Sequence, residues 1–100
     1  MKNQTEAFNP ATGESLGFSK LNTIEELTEI VNQAREAQKL WQEFSVDERI
    51  NLILKIRDYL VNNADSIAEI ISRDNGKTRI DALATEVLPA AMGVSFYCKN

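Results

Sequence analysis

Asp74-Asn75-Gly76-Lys77-Thr78 contains the Gly-Lys-Thr tripeptide that closes a phosphate-binding P-loop. In such a loop, Gly-rich backbone N–H groups curl round a phosphate and the lysine reaches its outer oxygens. The loop also needs a glycine five residues before the second one, a strand leading in and a helix leading out. Position 71 is Ile71, and the run Ala68-Glu69-Ile70-Ile71-Ser72 has helical character. The half of the motif that binds is missing. Gly76 therefore reads as the end of one helix and Thr78 as the start of another. Lys77 reads as a solvated charge near the first helix's C-terminus, where the helix dipole favours a cation.

The other candidates for chemistry are few. The chain has no histidine, which removes imidazole as a general base, metal ligand or pH switch. Neither a Ser-His-Asp triad nor a histidine-containing zinc site can be built. Cys98 is the single cysteine, so no internal disulfide forms. With no base to activate it and an apolar helical neighbourhood, Cys98 reads as a packed thiol. The carboxylate pairs Glu25-Glu26 and Asp47-Glu48 fall in helix first turns, where negative charge offsets the dipole. Trp41, Phe44, Phe96 and Tyr97 read as core or interface anchors, because three of them extend apolar stripes.

The elements that would hold these residues follow from turn formers and periodicity. Asn9-Pro10, Gly13 and Gly17 punctuate short stretches around Glu6-Ala7-Phe8 and Ser15-Leu16-Gly17-Phe18, which predicts a hairpin in residues 1–22. From Thr23 the period changes. Ile24, Leu27, Val31, Ala34, Gln38 and Trp41 recur at three- and four-residue steps, and Thr23 with Glu26 makes a capping box. Ser45 and Glu48 repeat that box ahead of a second helix carrying Val46, Ile50, Ile53, Leu54, Ile56, Leu60 and Val61. A third helix, about 64–74, carries Ala64, Ile67, Ala68 and Ile71 up to Asn75-Gly76. Thr78 and Asp81 open a fourth, with a nearly continuous apolar face from Ile80 through Leu83, Val87, Leu88 and Ala91 to Val94. Pro89 lies within it, removes the bond to the Thr85 carbonyl, and predicts a kink or split near Leu88. The fold class is mostly α: four amphipathic helices in residues 23–100 after a short N-terminal β-hairpin.

Composition bounds the function. One hundred residues make at most one domain, with 43% hydrophobic and 26% charged residues, ordinary for a globular chain. A net charge of −4 with interspersed signs offers no basic face, so nucleic acid is not an expected partner. The start, MKNQTEAFNPATG, has no apolar h-region, and no run of 18 apolar residues occurs, which excludes a membrane span and leads us to expect a cytoplasmic protein. Composition and spacing stop at a mostly helical module.

The ordered segments carry a resemblance. Phe8-Asn9-Pro10-Ala11-Thr12-Gly13-Glu14 is followed by Ala34-Arg35 with Ala37-Gln38 and Trp41. Ser45 with Glu48-Arg49, Asp74-Asn75-Gly76-Lys77, Glu86-Val87 and Phe96-Tyr97 come next. From about residue 8 to residue 100 the chain resembles the N-terminal region of the NAD(P)-dependent aldehyde dehydrogenase superfamily. The resemblance implies a parent enzyme of several hundred residues that oxidises an aldehyde to an acid with NAD or NADP. In that family a Cys thiolate attacks the carbonyl, hydride passes to the nicotinamide, a Glu activates water and an Asn holds the oxyanion. By the same resemblance those motifs lie beyond Asn100, so Cys98 does not inherit the nucleophile's role and no catalytic or cofactor-binding residue is assigned in this chain. Some relatives bind a monovalent cation through backbone carbonyls matching Ala7 and Phe8, plus a carboxylate that would fall past Asn100. No metal site is assigned either.

Residues 1–22 and 23–100 are thus expected to form one incomplete domain of a cofactor-binding unit, structural rather than catalytic. Its partner is expected to be the remainder of the dehydrogenase chain. Taken alone, its uncovered apolar faces, that of the fourth helix above all, predict self-association. The alternative is a free-standing helical module derived from the family, presenting those faces to a partner protein.

Overall fold

A computed structural model describes residues 3–99. Asn100, where the sequence reading ends the last element, lies outside them. Two antiparallel strands, β1 (Gln4–Phe8) and β2 (Ser15–Lys20), form the hairpin, with Gln4 opposite Lys20 and Ala7 opposite Gly17. The connection is built from Asn-Pro-Ala-Thr-Gly. The Asn9 side-chain oxygen accepts the Ala11 N–H at 2.8 Å, an Asx turn. The Gly13 N–H donates to the Asn9 carbonyl at 2.7 Å, with Gly13 at a φ of 75°.

Helix α1 (Ile24–Trp41) opens on the expected box: the Glu26 N–H donates to the Thr23 hydroxyl, and the Thr23 N–H to the Glu26 carboxylate, each at 3.1 Å. Helix α2 (Val46–Asn62) keeps half of it. The Ser45 hydroxyl accepts the Glu48 N–H at 3.1 Å but donates its own proton to the Glu48 carboxylate at 3.2 Å, so that carboxylate caps the side chain rather than the backbone. Helix α3 (Ala64–Asn75) ends at Gly76, left-handed with φ 84°.

The predicted fourth helix is present in three continuous parts: an α-helical turn α4 (Arg79–Ala82), a π-helical segment (Leu83–Val87) and helix α5 (Leu88–Lys99). The irregularity attached to Pro89 is a widened turn upstream of it. The Leu88 N–H reaches back to the Leu83 carbonyl. A π turn spaces carbonyls out where a proline ring would otherwise collide with the one four residues earlier, so the helix continues.

The core is small. Ala68, Ala82 and Val87 are buried where α3 meets α4 and the π segment, flanked by Ala64, Ile67, Ile71 and Leu83. Helix α5 packs along α2. Ile80, placed by the sequence on the same apolar face, is 79% exposed, because the π segment shifts the register between its two ends. Among the described residues no helix is long and apolar enough to cross a membrane.

Candidate functional site

The Gly-Lys-Thr tripeptide sits at the corner between α3 and α4, and the structure shows how each of its residues is used. The Gly76 N–H donates to the Ser72 carbonyl at 3.0 Å, closing α3. The Ser72 hydroxyl donates to the Lys77 carbonyl at 2.7 Å, and the Thr78 hydroxyl accepts the Asp81 N–H at 3.1 Å to cap α4. The corner is preceded by helix rather than strand, and Ile71 lies within that helix. It lacks the architecture of a phosphate loop.

Lys77 departs from its expected part. Its ammonium donates to the Glu86 carboxylate at 2.7 Å and to the Thr85 hydroxyl at 3.2 Å, and the Thr85 hydroxyl donates on to the Asp81 carbonyl at 2.6 Å. Two-thirds of the Lys77 side chain is covered. It ties the end of α3 to the π segment instead of standing in solvent. The hairpin reaches the same corner: a Cβ placed on Gly76 would lie 3.0 Å from Pro10 Cγ. Three elements therefore converge on Gly76-Lys77. Spacing rules missed both contacts, since nine residues separate Lys77 from Glu86 and sixty-six separate Pro10 from Gly76.

Elsewhere the candidates stay apart. Cys98 is half-buried on α5. Among the described residues no group of three or more His, Cys, Asp or Glu could hold a metal. Glu26 has its carboxyl pKa lowered by the hydrogen bond from Lys20, then by the Thr23 N–H. Trp41 and Phe44 meet edge-to-face at 5.9 Å, as do Phe96 and Tyr97 at 5.1 Å. Of the four, only Trp41 is even half-buried, so they are not core anchors within residues 3–99. An open groove of about 710 Å³ runs between α2 and α5, lined by Arg57, Val61, Leu88, Met92 and Phe96. Arg57 donates across its floor to the Ser95 hydroxyl at 3.4 Å.

Comparison with known proteins gives this corner its family context. The sequence model of the aldehyde dehydrogenase family matches residues 1–100. The chain belongs to the aldehyde dehydrogenase family. Similar proteins include a putative aldehyde dehydrogenase-like protein of Saccharomyces cerevisiae, 38% identical over 91% of this chain and 14% of its own length. A putative aldehyde dehydrogenase-like protein of Schizosaccharomyces pombe is 34% identical over 100% of this chain and 19% of its own. Malonate-semialdehyde dehydrogenase 2 of Geobacillus kaustophilus is 38% identical over 79% of this chain and 16% of its own. The chain thus spans under a fifth of the length of these aldehyde dehydrogenase relatives. Its Asn-Pro turn, Gly-Lys corner and Glu86 are what an N-terminal region of the family uses here to lock hairpin and helices together.

Proposed function

We propose that this chain is the N-terminal structural segment of an NAD(P)-dependent aldehyde dehydrogenase, whose whole protein oxidises an aldehyde to the carboxylic acid in the cytoplasm. The observation that carries the reading is the family match along all 100 residues by a chain spanning 14–19% of its relatives' length. In the chemistry proposed, a thiolate supplied outside this segment adds to the aldehyde carbonyl. Hydride leaves that carbon for the nicotinamide, and water releases the acid and restores the thiol. Residues 3–99 contribute a scaffold: the Pro10–Gly76 contact and the Lys77–Glu86 pair hold the hairpin and helices in one arrangement. Cys98 takes no part, since no histidine stands by to activate it.

Reading the gene past codon 100 and assaying both products tests this. A continued open frame is expected, whose full-length product reduces NAD or NADP with an aldehyde panel. Malonate semialdehyde belongs in that panel because several relatives carry its name. The 100-residue chain alone is expected to give no turnover. Turnover by the short chain that disappears in Cys98→Ser would overturn its structural assignment. A stop codon after Asn100 would support the free-standing interaction module, which the uncovered apolar stripe of α1 also fits.

A further inference from the structure

Asn75 is the only asparagine among residues 1–99 that is followed by glycine. That pairing carries a chemistry of its own. The peptide nitrogen after an asparagine can close a five-membered ring on the side-chain carbonyl carbon, and a glycine there puts no Cβ in the way. Asn75 is exposed to water as the last residue of α3. The nitrogen that would attack is engaged, because the Gly76 N–H donates to the Ser72 carbonyl at 3.0 Å. The Ser72 hydroxyl donates in turn to the Lys77 carbonyl at 2.7 Å, so both residues after Asn75 are tied back to Ser72. The helical ψ of Asn75 also turns the Gly76 nitrogen away from the side-chain carbonyl. The corner holds a reactive pair in an unreactive arrangement.

We propose that Asn75 is a deamidation site gated by this corner: closed, the end of α3 withholds the Gly76 nitrogen, and local opening releases it. In the open chain the Gly76 nitrogen gives up its proton to water or hydroxide and attacks Asn75 Cγ. A C–N bond forms, the bond from Cγ to the side-chain nitrogen breaks, and ammonia leaves carrying a proton equivalent to the one given up. The cyclic imide then takes up one water. Opening at the side-chain carbonyl yields aspartate at position 75, and opening at the backbone carbonyl yields isoaspartate, whose main chain runs through the former side chain. Nothing is oxidised or reduced, since an amide and water become a carboxylate and ammonium.

Either product alters the joint. A carboxylate at the C-terminus of α3 meets the negative end of the helix dipole, with Asp74 beside it. Isoaspartate also adds one carbon to the main chain just before Gly76, where the Pro10 ring leaves a Cβ only 3.0 Å. The closed arrangement is then harder to regain, and hairpin, α3 and α4 lose their shared contact. The reaction concerns the chain's own covalent chemistry and does not rest on the aldehyde-oxidation reading, so the two fail separately.

The test is incubation of the 100-residue chain in mildly alkaline buffer, with and without guanidinium, followed by peptide mass mapping and enzymatic methylation of isoaspartate. In guanidinium Asn75 is expected to react first among the asparagines. In native buffer it is expected to react at least about tenfold more slowly, because the rate is then scaled by the fraction of time the corner is open. Ser72→Ala removes the tie to the Lys77 carbonyl. It is expected to quicken the native reaction roughly two- to tenfold, the worth of one hydrogen bond, and to leave the guanidinium rate unchanged. Asn75→Asp stands in for one product and is expected to exchange its Gly76 amide faster than Asn75→Gln, whose longer side chain closes no five-membered ring. Equal Asn75 rates in the two solvents overturn the gate, as does a Ser72→Ala chain that reacts no faster than the unsubstituted one. Another asparagine reacting first in guanidinium overturns the site. Equal Gly76 exchange in the two position-75 variants overturns the loss of the joint.

Discussion

Gly76 works under two constraints that glycine meets together: a left-handed backbone at φ 84° and a proline ring 3.0 Å from where any Cβ would sit. Gly76→Ala is therefore expected to cost about 1–2 kcal/mol. The check is the urea midpoint of the variant, with Gly93→Ala as a control, since Gly93 has open space around its Cα. Glu26 offers a second test at this scale. Its folded-state pKa lies below the ordinary glutamate value, chiefly through the hydrogen bond from Lys20. Its stabilising effect is therefore present above the ordinary glutamate pKa and is lost as pH falls through the lowered one. Amide protection in the first turn of α1, taken relative to the intrinsic exchange rate at each pH, is expected to fall across that acid range, and Glu26→Gln is expected to abolish that fall. An unchanged profile in Glu26→Gln would assign the effect to another group.

Between elements, the tightest joint is made from alanines. Ala82 is fully buried against Ala68 and Val87, so α3 and α4 approach at a point that admits only a methyl group. Ala82→Leu overpacks that joint and is expected to destabilise by about 1–3 kcal/mol. Ile80→Ala, two residues away and exposed, is expected to stay within about 0.5 kcal/mol. Denaturant titration of the pair separates a packing effect from a change in helix propensity. The π segment belongs to the same joint. It lets Val87 enter the core on one side of the widened turn while Ala91 is buried farther along α5.

Taken whole, the molecule is loosely assembled. Its Cα radius of gyration is 17.5 Å, against about 13 Å for a compact domain of this size, and its extents are 48 × 38 × 17 Å. Among the described residues only four hydrophobic side chains are buried, and much of the apolar surface of this flat body is left exposed. Local stability should follow the contacts. Amides in α3 and the inner turns of α5 are expected to exchange most slowly, and those of α1, held by caps and propensity alone, fastest. Hydrogen exchange with mass spectrometry reads this gradient. Uniform protection including α1 in dilute, monomeric chain would show a closed core that these exposures do not predict.

Residues near in sequence determined the elements by themselves. Thr23 with Glu26, Asn9 with Gly13, Gly76 after α3 and the apolar steps of each helix act within about one turn, where hydrogen bonds and periodicity leave few options. The order of the Asn-Pro turn, the Glu-Arg pair and the Gly-Lys corner also carried the family. What tertiary structure decided was the use of those pieces. Lys77 met Glu86 rather than solvent, Pro10 closed on Gly76, and the Pro89 irregularity moved upstream into a π turn. The apolar stripes of α1 and the aromatics at Trp41, Phe44, Phe96 and Tyr97 stayed largely uncovered. Periodicity says that a face is apolar, but burial depends on which distant surface reaches it, and that is a property of three-dimensional packing.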